Sequence, residues 1–341
     1  MAIVLASGLQ IVQGNLVSSQ LIILGFGGIV RHMSELRVSV VIAAFNGEEF
    51  LGRAIDSILS QSRQAFEIIV VDDGSSDGTK GVVTAYGDRV RYVYQKNAGV
   101  SAARNTGARS ASGDWLIFLD VDDYYYKDRI RRHCDLVGQH PDIDFVVGNY
   151  DYCSPDGGII SDSMSMTELG RSARERCGAE NTTLLVGEEI GRLISEYFGH
   201  TLSIGVRRSM FMDLGGFPEG YRVGEDLHLL IRLCLKSRKV GVVCEPLGAY
   251  IVHDSGLVRS DTEFSQRETV RTLLNLRKYP GCASSTAWKY YLKVLQDARY
   301  DWALSLLRKG RRGEAVSVML PSIYETPGWA SLRSLLSILK G

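Results

Sequence analysis

The sequence reads WLIFLDVDD at residues 115–123, and this stretch decides the fold. It begins with an apolar run, which is typical of a strand buried on both faces of a parallel sheet. Three carboxylates follow, at Asp120, Asp122 and Asp123. Ligands bind beyond the carboxyl ends of strands in open α/β sheets, and carboxylates this close repel one another unless a cation or donors offset their charge. The stretch therefore indicates either a site for Mg²⁺ or Mn²⁺ or a solvated turn that caps the next helix.

Strands and helices alternate on the N-terminal side of this stretch. Short, β-branched apolar runs predict strands, and the stretches between them, with apolar or small residues at helical spacing, predict helices. The predicted strands cover residues 38–42, 66–71 and 90–94, and the predicted helices cover residues 48–61, 78–86 and 101–111. Such alternation is the signature of βαβ units, so we expect an α/β fold with a parallel sheet.

The second half of the chain is less regular and then becomes helical. Strands are predicted at residues 145–149, 203–206 and 240–244, helices at 128–138, 188–197 and 227–235, and loops over the polar stretch 151–185. Only helices are predicted after residue 263, at 267–277, 287–309, 313–320 and 330–339, with Pro321 and Pro327 interrupting them. We therefore expect a catalytic domain at residues 35–260, a helical extension at 261–341 and an N-terminal extension at 1–34.

The N-terminal extension is apolar but gives no clear structural signal. Its longest apolar run, residues 21–30, is too short to span a bilayer, and no basic region precedes it as in a signal peptide. Three interpretations stay open: a loose membrane-contacting segment, a disordered tail, or residues upstream of a true start at Met33.

Composition and charge exclude several classes of protein. The chain has 341 residues with 39 Lys plus Arg and 39 Asp plus Glu, so its formal net charge is zero and binding to nucleic acid by bulk positive charge is excluded. Hydrophobic residues make up 45% of the chain and charged residues 23%, which excludes disorder for most of it. The six cysteines show no zinc-ligand spacing, and we expect reduced thiols in a cytosolic protein.

Further polar stretches follow other predicted strands, and each has two interpretations. Residues 72–78 read DDGSSDG, which forms either a ligand-binding turn or a structural one; a calcium loop is excluded because the twelfth position from Asp73 is Thr84. Arg104 pairs either with a phosphate or with one of the aspartates. Asp226 follows Glu225 at a helix start, where acidic residues are favoured without any function. A lone histidine such as His253 is either a ligand or solvated.

Taken in order, these motifs are more specific than any one alone. They are AFN at 44–46, DDGS at 72–75, N-x-G at 97–99, RN-x-G at 104–107, D-x-DD at 120–123, GGF at 215–217 and ED at 225–226. With this order and spacing the chain resembles the family 2 inverting glycosyltransferases of GT-A fold, over about residues 38–253. The resemblance implies an α/β fold with a Rossmann-like mixed sheet, followed here by the C-terminal helical extension.

The resemblance also implies roles for individual residues. It makes Asp226 the general base of an inverting transfer from a nucleotide-diphosphate sugar to a hydroxyl acceptor. The implied ligands of Mg²⁺ or Mn²⁺ are Asp122, Asp123 and, by a weaker transfer, His253. The donor-binding residues expected from the motifs are Ala44, Phe45, Asn46, Asp72, Asp73, Asn97, Arg104 and Asp120. The implied products are cell-surface polysaccharides or glycolipids.

Two other functions remain as alternatives. A sugar-1-phosphate nucleotidyltransferase would carry a Gly-rich, Arg-containing loop after the first strand, where this chain has AFNGEE at residues 44–49. A non-catalytic nucleotide-sugar-binding module would not need the carboxylates, all of which are present.

The acceptor and the cellular location are less well specified. We expect a saccharide or a lipid-linked saccharide as acceptor, no nucleic-acid partner, and a cytoplasmic protein, either free or peripheral at the inner face of the membrane. Basic and aromatic residues of the C-terminal helices form either a membrane-contacting surface or a solvated face with an aromatic core stripe. They are Lys289, Tyr290, Tyr291, Lys293, Arg299, Tyr300, Trp302, Arg308, Lys309, Arg311 and Arg312.

Overall fold

A computed structural model describes residues 36–253, 261–279 and 287–340. The interpretations of residues 1–34 lie outside these ranges. The described strands are β1 (Val38–Ala44), β2 (Glu67–Asp72), β3 (Arg91–Tyr94), β4 (Trp115–Asp120), β5 (Tyr124–Tyr125), β6 (Phe145–Cys153), β7 (Ile159–Asp162), β8 (Thr182–Val186), β9 (Gly205–Arg207) and β10 (Lys239–Ile251).

The described helices lie on both faces of the sheet and then continue alone to the end of the chain. They are α1 (Leu51–Leu59), α2 (Thr79–Thr84), α3 (Val100–Ser110), α4 (Arg129–Gln139), α5 (Glu168–Arg176), α6 (Glu188–Ser195), α7 (Arg208–Asp213), α8 (Glu225–Lys236), α9 (Thr262–Asn275), α10 (Trp288–Arg308), α11 (Arg312–Glu325) and α12 (Trp329–Lys340). No helix in the described ranges is both long and apolar enough to cross a membrane.

The sheet is mixed, with the order β3-β2-β1-β4-β9-β6-β10-β5. Strands β1, β2, β3 and β4 are parallel, whereas β9 is antiparallel to both of its neighbours, β4 and β6. Ala44 is in register with Asp72, and Ala43 with Asp120. The carboxyl ends of β1, β2 and β4 therefore meet at one edge, which is where the sequence predicts a ligand site.

The central strands are apolar throughout because both of their faces are covered. Every residue of β1 is buried, and its side chains alternate between two core clusters, one on each face of the sheet. Helix α3 packs so closely on one face that a Cβ on Gly107 would collide with Val41. This close approach explains the small residues of α3, and it holds the helix and the loop before it against the strand ends.

Two predictions about local structure are wrong. Residues 151–185 hold the end of β6, then β7, α5 and β8, rather than loops. The sequence signal is weak because β7 and much of β8 are only partly covered, so their residues lack a buried apolar pattern. Helix α11 continues through Pro321 to Glu325, where Arg277 and Arg299 each form an ion pair with Glu325. These tertiary contacts stabilise the last turn despite the proline.

The expectation of six reduced thiols is also wrong. Cys177, just after α5, forms a disulfide with Cys244 of β10. The two cysteines are 67 residues apart, so no local spacing indicates the pair. Cys134, Cys153 and Cys234 are buried.

The C-terminal helices pack on the sheet domain through both apolar and charged contacts. Tyr291 of α10 is fully buried and donates its hydroxyl to the carbonyl of Leu273. Four of the basic residues that could form a membrane-contacting surface are in ion pairs. Arg299 pairs with Glu325, Lys289 pairs with Glu188, and both Lys309 and Arg311 pair with Glu263. Most of the basic residues are therefore paired with carboxylates within the protein rather than left as a free basic face.

Candidate active site

Two adjoining cavities open at the carboxyl edge of β1, β2 and β4. Their volumes are about 570 and 670 Å³. Ala43, Phe45, Val100 and Arg222 line both, so the two form one continuous depression. The first holds the residues predicted to bind a nucleotide, and the second holds the acidic residues. A ligand with two chemically different halves fits such an arrangement.

The first cavity is lined by Ala44, Phe45, Asp73 and Asn97. Half of the Phe45 ring surface is exposed, and a base can pack on such a face. These four predicted donor-binding residues come from the ends of β1 and β2 and from the loop before α3. The structure thus brings them together from three separate motifs.

Asp73 both lines this cavity and builds its wall. One carboxylate oxygen accepts from Gln95 Nε2 at 2.6 Å and from the Ala98 amide at 2.9 Å, and the other accepts from the Gly99 amide at 2.8 Å. Gly99 has φ 92°, which favours glycine at that position. Asp73 therefore fixes the loop that leads into α3.

Asp72 and Asn46 serve as braces and are not among the residues that line the two described cavities. Buried Asp72 accepts hydrogen bonds from the Ser75 amide at 2.8 Å and the Tyr92 hydroxyl at 2.6 Å. Asn46 has φ 49°, and its Oδ1 accepts from the Ser76 amide at 2.9 Å. Both side chains hold the turn after β2, so the structure does not bring these two predicted donor-binding residues to the cavity wall with the others.

Arg104 lies at the back of the second cavity and joins two acidic motifs. Its Nη2 donates to Asp120 at 2.5 Å and its Nη1 donates to Glu225 at 2.9 Å, and its guanidinium lies 5.0 Å from the centre of the Phe217 ring. Burial opposes charge on Asp120, but the charge and hydrogen bond of Arg104, together with the charge of His200, outweigh it and hold the pKa of Asp120 below its ordinary value. Of the two interpretations of Arg104, the structure therefore has the one that pairs it with carboxylates.

Asp226 lies at the N-terminus of α8, on the wall of the second cavity. The helix begins after Gly224, whose φ of 80° turns the chain sharply. Asp226 Oδ1 accepts from the Leu227 amide at 2.7 Å, and the side chain remains partly exposed. Burial raises the pKa of the neighbouring Glu225 carboxyl, although the Arg104 charge opposes this shift. Both carboxylates line the cavity, but Glu225 is paired with Arg104, so within the described residues Asp226 is the one of the two that forms no ion pair.

The carboxylates of the acidic turn after β4 make two different sets of contacts. Asp122 Oδ2 lies 2.9 Å from His253 Nε2, and both residues line the second cavity. Asp123 is buried below them, where its Oδ1 accepts from the Ile251 amide at 2.9 Å. Burial, reinforced by the charges of Asp122 and Asp120, raises the pKa of Asp123 well above its ordinary value. A cation at this turn would relieve that cost.

The structure also brings in a histidine that sequence reasoning missed. Asp120, Asp123 and His200 offer ligand atoms that all lie within 4.8 Å of one another. Within the described residues, Asp123 Oδ2 and His200 Nδ1 are buried without a hydrogen-bond partner. The predicted trio of Asp122, Asp123 and His253 is therefore split between two groups. His200 lies in an irregular segment between α6 and β9, where no local pattern marks it.

Two tyrosines also belong to the wall of the second cavity. Tyr197 and Tyr250 both line the second cavity, and the Tyr250 ring lies 4.8 Å from that of His200. Burial, followed by the charges of Asp123, Asp122 and Asp120, raises the pKa of Tyr250 to about 12. Both phenols are therefore neutral donors at physiological pH. Tyr250 lies in the second half of β10, where the surrounding apolar residues give no sign of a site.

Comparison with known proteins identifies a family over much of the sheet domain. Residues 39–199 match the family described as glycosyl transferase family 2. An uncharacterised glycosyltransferase of Rickettsia typhi is 28% identical over 259 residues, which cover 76% of this chain and 72% of the relative. Succinoglycan biosynthesis protein ExoO of Rhizobium meliloti is 34% identical over 223 residues, which cover 63% of this chain and 60% of ExoO.

Solved structures with the same architecture are more distant in sequence. The structure of S. aureus TarS in complex with UDP-GlcNAc matches with a TM-score of 0.62 at 17% identity. The match covers 85% of this chain and 82% of the TarS chain. Mannosyltransferase PcManGT of Pyrobaculum calidifontis, in complex with GDP-Man and Mn²⁺, has a TM-score of 0.55 at 17% identity, covering 90% of this chain and 85% of its own. These similarities confirm the predicted GT-A fold.

Proposed function

Because residues 39–199 match glycosyltransferase family 2, we propose that this protein transfers a sugar from a nucleotide-diphosphate donor to a hydroxyl acceptor with inversion. The observation that carries the proposal is that Asp226 and the acidic turn after β4 line the same cavity. A base and an anion-binding site must share a cavity if an acceptor is to attack a bound donor.

The donor would lie across both cavities. Its base and ribose fit the first cavity, on the face of Phe45 and beside Asp73 and Asn97. Its diphosphate and sugar then reach the second cavity. TarS is bound to UDP-GlcNAc and PcManGT to GDP-Man, so donors with either base are candidates.

The second cavity fits a divalent cation. Asp123 Oδ2, buried without a partner among the described residues, is the kind of atom that a cation would satisfy. Asp122 and His253, which line the cavity and lie 2.9 Å apart, are the proposed ligands on its open side, with Asp123 behind them. Bound Mg²⁺ or Mn²⁺ would offset the negative charge on a leaving nucleoside diphosphate. PcManGT was solved with Mn²⁺.

Asp226 is the proposed general base. An acceptor hydroxyl is a poor nucleophile, and a partly exposed carboxylate can take its proton as it attacks the anomeric carbon. One displacement by this route inverts the anomeric centre. Arg104 keeps the paired carboxylates Asp120 and Glu225 in place and holds α8 against β4, which fixes the position of Asp226.

The acceptor is proposed to be a saccharide or a lipid-linked saccharide in polysaccharide or glycolipid synthesis, with no nucleic-acid partner. ExoO, whose name states a role in succinoglycan biosynthesis, supports a polysaccharide. The aromatic wall of Tyr197, His200 and Tyr250 suits a sugar ring, because aromatic faces pack on apolar ring surfaces while hydroxyls bond its edge.

The test is a donor screen followed by one substitution. Turnover is measured for a panel of UDP- and GDP-sugars with Mn²⁺, Mg²⁺ or chelator present. Asp226→Asn should lower turnover at least about hundredfold while donor affinity stays within about twofold of the parent. Undiminished turnover in this variant would remove Asp226 from the role. Formation of a nucleotide sugar from a sugar phosphate would instead favour a nucleotidyltransferase, and binding without turnover of any donor would favour a binding module.

A further inference from the structure

The last helix, α12, presents an apolar stripe on its outer surface. Trp329 is 79% exposed, and Leu332, Leu336 and Leu339 are each 40–42% exposed. Their spacing of three, four and three residues puts them on one face of the helix. The opposite face is anchored: Ser331 and Ile338 are buried, and Ile338 packs in a core cluster with residues of α10 and α11. The outer stripe is therefore a fixed feature of the folded surface.

The charged residues of α12 have one sign. The helix reads WASLRSLLSILK, so its only charged residues are Arg333 and Lys340, and it carries no Asp or Glu. Arg333 is exposed. Tyr324, at the end of the preceding helix α11, is 85% exposed and adds a second amphipathic aromatic ring. Exposed Trp, Tyr and Leu with basic residues alone is the composition of helices that lie in the headgroup region of an anionic bilayer.

The size of the stripe also favours a lipid surface over a protein partner. Trp329 and three half-covered leucines offer on the order of 400 Å² of apolar surface. A stable protein interface buries roughly 800 Å² on each partner. A bilayer needs no matching surface, because a single helix face sinks only about 5–10 Å into the headgroup boundary.

We propose that α12 is a membrane-contacting helix that docks the protein on an anionic lipid surface through Trp329, Leu332, Leu336 and Leu339. The proposed contact surface is this stripe. It does not include Lys289, Lys309 and Arg311, which form ion pairs within the protein. The proposal is independent of the donor, the cation and the role of Asp226.

Flotation of the full chain with vesicles tests the proposal. One set of vesicles is phosphatidylcholine alone, and the other contains phosphatidylglycerol as well. The parent should bind the anionic vesicles more tightly. Trp329→Ser combined with Leu336→Ser should weaken binding at least about tenfold, because it removes most of the inserted apolar surface. Arg333→Ser should weaken binding to the anionic vesicles about fivefold and leave binding to the neutral ones unchanged.

Ile159→Ser combined with Ile160→Ser provides the matched control, because these two isoleucines are 67% and 60% exposed on β7. The control should bind vesicles like the parent. Thermal unfolding of each variant checks that the fold is intact, and the single substitution Trp329→Ala serves if the double variant does not fold. Failure of the parent to bind anionic vesicles would overturn the proposal, as would undiminished binding by the α12 variants. Concentration-dependent self-association that the α12 substitutions abolish, without vesicle binding, would assign the stripe to a second copy of the chain instead.

Discussion

Arg104 and Glu225, which are 121 residues apart in the sequence, form an ion pair of 2.9 Å with side chains that are only 4% and 12% exposed. The second terminal nitrogen of the same arginine binds Asp120 at 2.5 Å. One buried guanidinium therefore links α3, the end of β4 and the start of α8. Removing one partner of a buried pair costs far more than an exposed pair does, because the remaining charge stays desolvated.

Arg104→Met should destabilise the fold strongly. The substitution keeps much of the side-chain volume but leaves Asp120 and Glu225 buried without their cation, at an expected cost of about 3–5 kcal/mol in the free energy of unfolding. Urea denaturation measures it. Arg37→Met is the matched control, since the pair of Arg37 with Asp114 is about half exposed on both sides and should matter little. Equal effects of the two substitutions would contradict the importance of burial at Arg104.

His253→Ala should weaken Mn²⁺ binding at least about tenfold, whereas His200→Ala should have a smaller effect. His253 meets Asp122 at the open side of the cavity, where a cation can also contact a diphosphate. Free Mn²⁺ measured by electron paramagnetic resonance during titration of each variant gives the affinities. The opposite order would move the proposed cation to the group of Asp120, Asp123 and His200.

Gly216→Ala should destabilise the protein more than Gly215→Ala. Both glycines have positive φ, 71° and 78°, so each alanine carries the backbone cost of roughly 1–2 kcal/mol. Only at Gly216 would the new Cβ collide with Asn105 Oδ1, which accepts the Phe217 amide at 2.8 Å. We expect an additional loss of about 1–3 kcal/mol there. Equal midpoints of thermal unfolding for the two variants would show that this loop relaxes without cost.

Stability should fall below pH 6.5, partly because of His228. Burial, with the charge of Arg232, lowers the pKa of His228 to about 3 in the folded state. In the unfolded chain the pKa of His228 is near 6.5, so between about pH 3 and 6.5 the unfolded state binds one more proton than the folded state does. The free energy of unfolding therefore falls by about 1.4 kcal/mol per pH unit as the pH decreases through this range.

His228→Gln should remove this share of the slope, while any loss of packing appears as an offset that is the same at every pH. Chemical denaturation between pH 4.5 and 7.5, about one unit apart, measures both quantities. A variant with the parental slope would show that His228 is protonated in the folded state.

The parts of the fold that were predictable are those with strong local signals. The central strands are buried on both faces, so their residues are continuously apolar, and the polar motifs at their ends mark the edge where the two cavities open. The order of motifs was enough to indicate the GT-A fold. The partly covered strands β7 and β8 lacked that signal, because an exposed strand need not be apolar.

The contacts within the site depend on distant segments, which local patterns cannot specify. Sequence alone left Arg104 with a phosphate or an aspartate as partner, because Glu225 comes from another part of the chain. The sequence also assigned Asp72 and Asp73 the same expected role. In the structure the Asp72 side chain accepts a hydrogen bond from the turn after β2, whereas Asp73 lines the cavity. The rings of His200 and Tyr250 come together only in the folded protein, because the two residues lie in distant segments of the chain. Neither residue therefore carries a local sequence signal of function.

The strand order has a consequence for how the chain acquires its structure. The two strands that complete the middle of the sheet, β9 and β10, both begin after residue 199, where the family match ends. A polypeptide ending there would leave β4 and β6 with no strand between them, and two open edges would face each other across a gap. β9 fills that gap, and β10 then joins β6 to β5, so the sheet is complete only after residue 251 has been synthesised. Until then a growing chain would expose unpaired strand edges, which favour aggregation.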